Sequence, residues 1–335
     1  MYAAPIRLLR NGKSWLWRGL RRRRVPHALV LMYHRVAQVT VDPWQICVHP
    51  ERFDDQIAAL RRFADILPLA TVPGAMRSGR GSRPALAITF DDGYVDNLTT
   101  AKPVLDRHRA PATVFLATSC IERGESFWWD VLSDAILGPG PLPGELRLDG
   151  GEQPFLWRDA AIERPEQAPG PARRRLLDAL WLWLVRLPDP ERRVAIRSLA
   201  QWAGQSATRD SSAQPMSPQQ VRNLLAGGLI TVGAHTATHA RLTDLGRDEK
   251  LAEIERSRIA CEHFTGGRPA CFAYPFGELD DESTDCVRQA GFTVACTSEP
   301  GLAWADGDAL RLPRLAVGDW SGKHLVRLLK WYWFA

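Results

Sequence analysis

The 335 residues are 45% hydrophobic and 24% charged, a soluble globular composition that excludes bulk disorder, and no apolar run approaches the roughly 18 to 20 residues a membrane-spanning helix needs. Six scattered cysteines, with no C-x-x-C pair, exclude a structural zinc cluster and a disulfide scaffold and fit a reducing compartment. The net charge of +5 is modest but unevenly placed.

The first 26 residues concentrate it. Arg7, Arg10, Lys13, Arg18 and the run Arg21 to Arg24 interleave with Leu8, Leu9, Trp15, Leu16, Trp17 and Leu20, with no acidic residue among them. That mixture predicts peripheral contact with an anionic membrane surface; the alternative is a solvated terminus. The C-terminal tail, residues 321–335, repeats it in HLVRLLKWYWFA. The basic residues cluster at one end rather than in a nucleic-acid-binding fold, so no nucleic-acid partner is expected. The arginine cluster runs into VPHALVLMYHRV, which reads as a core strand rather than a secretory pattern, so the expected location is cytoplasmic, peripheral to the inner face of the membrane.

From there strand and helix alternate. ALVLMYHRV predicts a buried strand ending on His34 and Arg35, and ERFDDQIAALRRF a helix with Phe53, Ile57, Leu60 and Phe63 on one face. ALAITF predicts a strand delivering Asp91 and Asp92, DNLTTAKPVLDRH a helix, and ATVFLAT another strand. The alternation resumes at GLITVGAH, the helix RDEKLAEIERSRIACEHF, PACFAYPFG, the helix ESTDCVRQAG and FTVACTSE. Such repetition predicts a parallel sheet, closed as a barrel or open. Residues 119–217 interrupt it with Pro and Gly at both ends and tryptophan-bearing helical pieces such as RRRLLDALWLWLVRL. This stretch is expected to be a helical insertion into a catalytic domain of residues 27–118 and 218–320. Its tryptophans predict core packing, with Trp128 and Trp129 as candidates for stacking on a sugar ring.

Active sites of α/β barrels lie at the carboxyl ends of the strands, and three such ends carry His34, Asp91 with Asp92, and His235 with His239. One carboxylate and two imidazoles suit zinc or another divalent first-row ion with open coordination positions. The second carboxylate of the pair can take a proton from an activated water. Each piece alone has a plainer reading: a DD pair is often a turn or cap, and histidines four apart are often one helix face. Asp96 and Asn97 are expected to cap the following helix, and Thr236 to brace its loop by hydrogen bonding.

TFDDGY (89–94), HTATH (235–239) and AYPFG (273–277) together resemble the three motifs of the polysaccharide deacetylases, carbohydrate esterase family four. The resemblance covers roughly residues 29–118 and 218–318. It implies a distorted (β/α)7 TIM-like barrel, with Asp91 as catalytic base and Asp92, His235 and His239 as ligands of a divalent metal, Zn2+ first, with Co2+, Ni2+ or Mn2+ as alternatives. It also implies a Tyr274 backbone N–H facing the oxyanion, and we group Pro275 of the same motif with Trp128 and Trp129 as substrate contacts. The family's late acid histidine is absent from GLAWADGDALRLPRLAVGDW. The chain is similar instead to the permuted poly-N-acetylglucosamine deacetylase subgroup, where a YH dipeptide on the first strand supplies the acid, here His34. An arginine before the third motif is also missing; Arg314 is the preferred partner for Asp91, with Arg268 as the alternative. The function expected is removal of N-acetyl groups from N-acetylhexosamine units of a polysaccharide or lipid-linked precursor. The alternatives are deformylation or deacylation of a small amino sugar, or a catalytically silent carbohydrate-binding barrel.

Overall fold

The computed structural model describes residues 25–79, 83–159, 170–204 and 213–334. The basic N-terminal segment lies outside the described residues except for its last two. The chain divides into two units: residues 1–124 with 215–335, and residues 125–214.

The first unit is built on a nine-stranded sheet among the described residues. Its strands are β1 (His27–Tyr33), β2 (Asp65–Ile66), β3 (Ala85–Phe90), β4 (Ala112–Leu116), β5 (Ile230–Ala234), β6 (Cys271–Ala273), β7 (Val294–Cys296), β8 (Ala303–Trp304) and β9 (Leu315–Ala316). They run in the order β7-β6-β5-β4-β3-β1-β8, with β9 pairing β1 and β2 pairing β3. All neighbours from β1 through β7 are parallel. The sheet then curls shut: Leu312 bridges Cys296 at the end of β7, and β9, three residues on, pairs with β1 in parallel. Counting that closing segment, seven parallel staves make the (β/α)7 barrel that the alternation and the motifs led one to expect.

Both faces of β1, β3 and β4 are buried, so these strands read as continuous apolar runs rather than alternating ones. Leu29, Leu31, Tyr33, Leu86, Ile88 and Phe90 join one core with the helices, including Pro50–Phe63. Ala28, Val30, Ala87, Phe115, Ala273 and Cys296 form a second cluster on the opposite strand face. Strand period two carries that second face upward: Ala87, Thr89 and Asp91 share it, as do Val30 and His34, and Gly233 and His235. Hence the polar candidates point where the small residues point.

The predicted strand 85–90 and helix 247–264 are observed at Ala85–Phe90 and Arg247–Thr265. The expected helix 96–108 is instead a π-helical turn, Asn97–Ala101, running into an α-helix at Lys102–His108. Pro103 lies in the first turn of that α-helix, where its missing N–H costs nothing.

The second unit holds helices Trp128–Leu137, Pro171–Leu184 and Asp189–Trp202 among its described residues. It also contains an antiparallel ribbon, Glu145–Leu148 with Phe155–Arg158, which the helical expectation did not include. Trp128 and Trp129 are buried inside this unit's packing. Trp129 stacks on Phe127 at 4.9 Å; Trp128 has Trp181 at 4.7 Å and the Arg192 guanidinium 5.5 Å from its ring centre. Their expected role as sugar platforms is therefore corrected to core packing, because neighbours within the unit already cover these rings.

Gly233 tests how closely the barrel face is packed. A Cβ there would collide with the Phe115 ring and come within 2.8 Å of the Cys271 carbonyl oxygen. Gly233→Ala should lower the urea-unfolding free energy by about 1–3 kcal/mol with an unchanged m-value; an unchanged midpoint would show the face to be looser than described.

Candidate active site

Asp91 and Asp92 leave the end of β3, and the loop after β5 carries His235 and His239. The loops are tied down by the backbone: the Asp91 N–H donates to the Tyr33 carbonyl at 2.9 Å, His235 N–H to Leu116 at 3.0 Å and Ala117 N–H to Asp92 at 3.2 Å. Thr236 braces its own loop, its Oγ1 accepting from the Ala240 N–H at 3.2 Å.

Asp92, His235 and His239 are 3%, 1% and 4% exposed, and one ligand atom from each falls within 4.8 Å of the others. Asp92 Oδ1 lies 3.7 Å from His235 Nε2 and 3.4 Å from His239 Nε2. Ligands about 2.0–2.2 Å from a shared ion stand roughly 3.3–3.6 Å apart when tetrahedral. His235 Nδ1 is 2.7 Å from the Ala273 carbonyl, so this nitrogen carries the proton and donates it there. That leaves the Nε2 lone pair buried and without a hydrogen bond. Burial lowers the pKa of His235, against the pull of Asp91, which favours the neutral imidazole a metal needs. A carboxylate and two imidazoles at this spacing, one with an orphaned buried nitrogen, fit a divalent ion.

Backbone strain gathers at the same place. Asp92 has φ 73°, Thr236 φ 59°, His239 φ 56° and Phe276 φ 60°. Asp and His tolerate this region better than most; the β-branched Thr236 does not, at a cost of about 1–3 kcal/mol. Gly93 and Gly277 also have positive φ, and a Cβ on Gly277 would collide with the Ser298 side chain.

Asp91 is held by Arg314, from the segment that closes the barrel. The guanidinium is bidentate, Nη1 to Oδ1 at 2.6 Å and Nη2 to Oδ2 at 2.7 Å, and is completely buried. Two further donors reach the Thr297 carbonyl at 2.8 Å and Thr89 Oγ1 at 3.2 Å, and that hydroxyl donates to the Leu31 carbonyl at 2.7 Å. Burial pushes the Asp91 pKa up, but Arg314, His235 and His34 outweigh it and bring it down to about 2. Arg268, the alternative partner, donates to the Ala290 carbonyl at 2.8 Å instead.

His34 sits just past β1, 6% exposed, and burial lowers its pKa to about 4 despite the attraction of Asp91. Its backbone is clamped by residues expected to cap a helix. Asn97 Nδ2 donates to the His34 carbonyl at 2.8 Å, while Asp96 accepts from Val36 N–H at 3.2 Å and from Arg35 Nε at 2.9 Å. Asp96 makes no side-chain cap, so the capping expectation is corrected. Arg35 was missed; its position beside His34 and the DN pair three residues after the DDG turn were the available signals.

Tyr274 also needs correction. Its N–H donates to the Cys296 carbonyl at 3.1 Å and its hydroxyl to the Leu310 carbonyl at 3.0 Å, so the parallel ladder takes the amide expected to face the oxyanion. Pro275, buried, opens the Pro275–Gly277 turn, in which the Phe276 ring meets His239 edge-on at 4.7 Å.

A family model described as "Polysaccharide deacetylase" matches residues 78–138 and 198–295. A Bacillus subtilis chain, YxkH, described as a candidate polysaccharide deacetylase, is 24% identical over 102 residues, 30% of this chain. The match spans about a third (36%) of that relative's length. Among solved structures, the Streptococcus pyogenes deacetylase PplD, in complex with acetate, superposes with a TM-score of 0.59 at 17% identity, over 90% of this chain and 98% of PplD. IcaB from Ammonifex degensii gives 0.58 at 16% identity over 92% and 98% of the two chains. A de-N-acetylase from Aggregatibacter actinomycetemcomitans gives 0.53 at 14% over 90% and 99%. At these identities the structural likeness concerns the fold.

Arg314→Met would strand a buried carboxylate and should cost about 3–5 kcal/mol of unfolding free energy, whereas adding Asp91→Asn to it should restore much of the loss; additive losses in urea titrations would contradict the coupling. Stability of chelator-treated protein should also fall as pH drops. His34, depressed from 6.5 to about 4, stays neutral in the fold while the unfolded chain takes up protons, removing about 3 kcal/mol between those values. The Asp91 contribution, present above 3.8, goes as pH falls towards 2. His34→Asn should reduce the slope in the upper window, where His235, also depressed, keeps the remainder; a slope unchanged by it would show that His34 titrates normally.

Proposed function

Since the chain carries a polysaccharide deacetylase domain, we propose that it is a metal-dependent hydrolase removing N-acetyl groups from N-acetylhexosamine units of a glycan. The observation that carries this reading is the pairing of a metal-shaped Asp92–His235–His239 cluster with an adjacent carboxylate, Asp91, locked by Arg314.

Asp92, His235 and His239 would hold the ion, with Zn2+ the first candidate. When bound it would polarise the acetamide carbonyl and make water a far stronger acid, with a pKa of about 7. That acidity is needed because Asp91, at about pKa 2, is a weak base. The Arg314 fork keeps both Asp91 oxygens oriented and charged. Water adds to the acetyl carbon, Asp91 takes its proton, the C–N bond breaks, and the amine leaves with a proton from His34, giving acetate and a free amino sugar. With a pKa near 4, His34 is neutral at rest, so the proton it delivers is gained during the reaction: the one Asp91 took from the water, whose transfer leaves Asp91 ionised again. The Tyr274 amide being engaged, we assign the oxyanion-facing rim to the Pro275–Gly277 turn beside His239.

Of the alternatives, deformylation or deacylation of a small amino sugar uses the same residues, and product identity separates it. A silent barrel is disfavoured by the strain concentrated on the cluster, since about 1–3 kcal/mol at a position such as Thr236 is kept in the loop that positions His235 and His239. The His34 placement favours poly-N-acetylglucosamine as the substrate class, and the basic aromatic ends of the chain favour a lipid-linked precursor.

Protein loaded with Zn2+ or Co2+ should release acetate from chito-oligosaccharides or a lipid-linked acetamido sugar, and Asp91→Asn should reduce kcat by about 10²–10⁴. No acetate from either substrate with any of several metals, or turnover untouched by Asp91→Asn, would overturn the proposal; formate or longer acids in place of acetate would favour the deformylase or deacylase alternative.

A further inference from the structure

The C-terminal helix Gly322–Phe334 packs through Leu325 and Leu329, which are 1% and 0% exposed. At 100° per residue, Lys323, Arg327, Lys330, Trp331 and Phe334 fall within a 100° arc roughly opposite those anchors. Trp331 and Phe334 are 43% and 71% exposed, among the few large apolar side chains left open in the described residues. Beside this stripe lies a groove of about 840 Å³ between the helix and Pro50–Phe63, lined by Arg62, Lys323, His324, Arg327 and Lys330. Its one acidic side chain, Asp55, is already committed, accepting the Gly322 N–H at 2.7 Å.

We propose that this face is a docking surface for an anionic phospholipid membrane, with the cations against headgroup phosphates and Trp331 and Phe334 inserted at the acyl boundary. Charge excludes the nearest other occupants. Residues 1–24 of this chain carry basic residues and no acidic one, so they would be repelled, and a deacetylated amino glycan would be repelled for the same reason. A soluble polyanion would satisfy the cations but gives no reason for the exposed aromatic end, which is the composition of an interfacial helix. The aromatic end continues directly from the cations on one helix face, as a headgroup-to-acyl gradient requires. The surface does not depend on the deacetylase chemistry.

The test is sedimentation of the full chain with vesicles of phosphatidylcholine alone or of phosphatidylcholine and phosphatidylglycerol at a ~7:3 ratio. The wild type should bind only the anionic vesicles, and weaken with added salt. Arg327→Ala with Lys330→Ala should weaken binding roughly tenfold or more. Trp331→Ser with Phe334→Ser should weaken it as well, with unfolding midpoints unchanged in both variants. Equal binding to neutral vesicles, no binding to either, or anionic binding unchanged in both double variants would overturn the proposal. So would retention on a heparin matrix without any vesicle binding.

Discussion

The ion pair between Asp91 and Arg314 is the contact on which the catalytic half of the molecule depends. Arg314 belongs to the short segment that bridges Cys296 to β1 and closes the barrel, so the same side chain that completes the fold also fixes the charge of Asp91, the proposed base. A buried guanidinium and carboxylate are expensive to dehydrate and hold only with good geometry and further hydrogen bonds. Here the fork takes both Asp91 oxygens, and the Thr297 carbonyl and Thr89 hydroxyl accept two further N–H groups. The consequence is chemical. A carboxylate held near pKa 2 stays ionised under all ordinary conditions and is too weak to deprotonate ordinary water, which ties its usefulness to the cluster beside it.

That cluster is organised by backbone conformations that side chains seldom adopt. Asp92, Thr236, His239 and Phe276, all with positive φ, lie on three different loops, and hydrogen bonds from neighbouring strand ends hold two of those loops. The Ala273 carbonyl fixes which nitrogen of His235 faces the cluster, so the tautomer is set by the fold before any ligand arrives. On the other side of the site the Asp96–Arg35 pair and Asn97 clamp the chain around His34, keeping a neutral imidazole at the rim.

How far the sequence revealed this varied with the kind of signal. The strand at Ala85–Phe90 was legible because apolar and β-branched residues run unbroken until two aspartates stop them, as a strand buried on both faces must. The Asp92–His235–His239 cluster was legible because all three residues sit just past strand ends. Tyr274 was misread for a reason local sequence cannot show: the ladder continues one residue beyond β6, and its amide is spent on Cys296. Trp128 and Trp129 look the same in sequence whether they stack on a sugar or on Trp181 and Phe127. Asp96 and Asn97 had the composition of caps, but their partners lie some sixty residues away, beyond the reach of any spacing rule. Arg314 was named from its place on the last strand, and the bidentate geometry that gives it meaning is purely tertiary.

Cobalt binding tests the proposed metal centre most directly, because the visible d–d bands of Co2+ report ligand number and type without requiring turnover or knowledge of the glycan. Titrating metal-free protein should give a saturating band at one equivalent that is lost in Asp92→Ala and in His239→Ala, while Asp91→Asn retains it. Failure to take up stoichiometric Co2+, or a band indifferent to Asp92→Ala and His239→Ala, would contradict the assignment of these side chains as ligands.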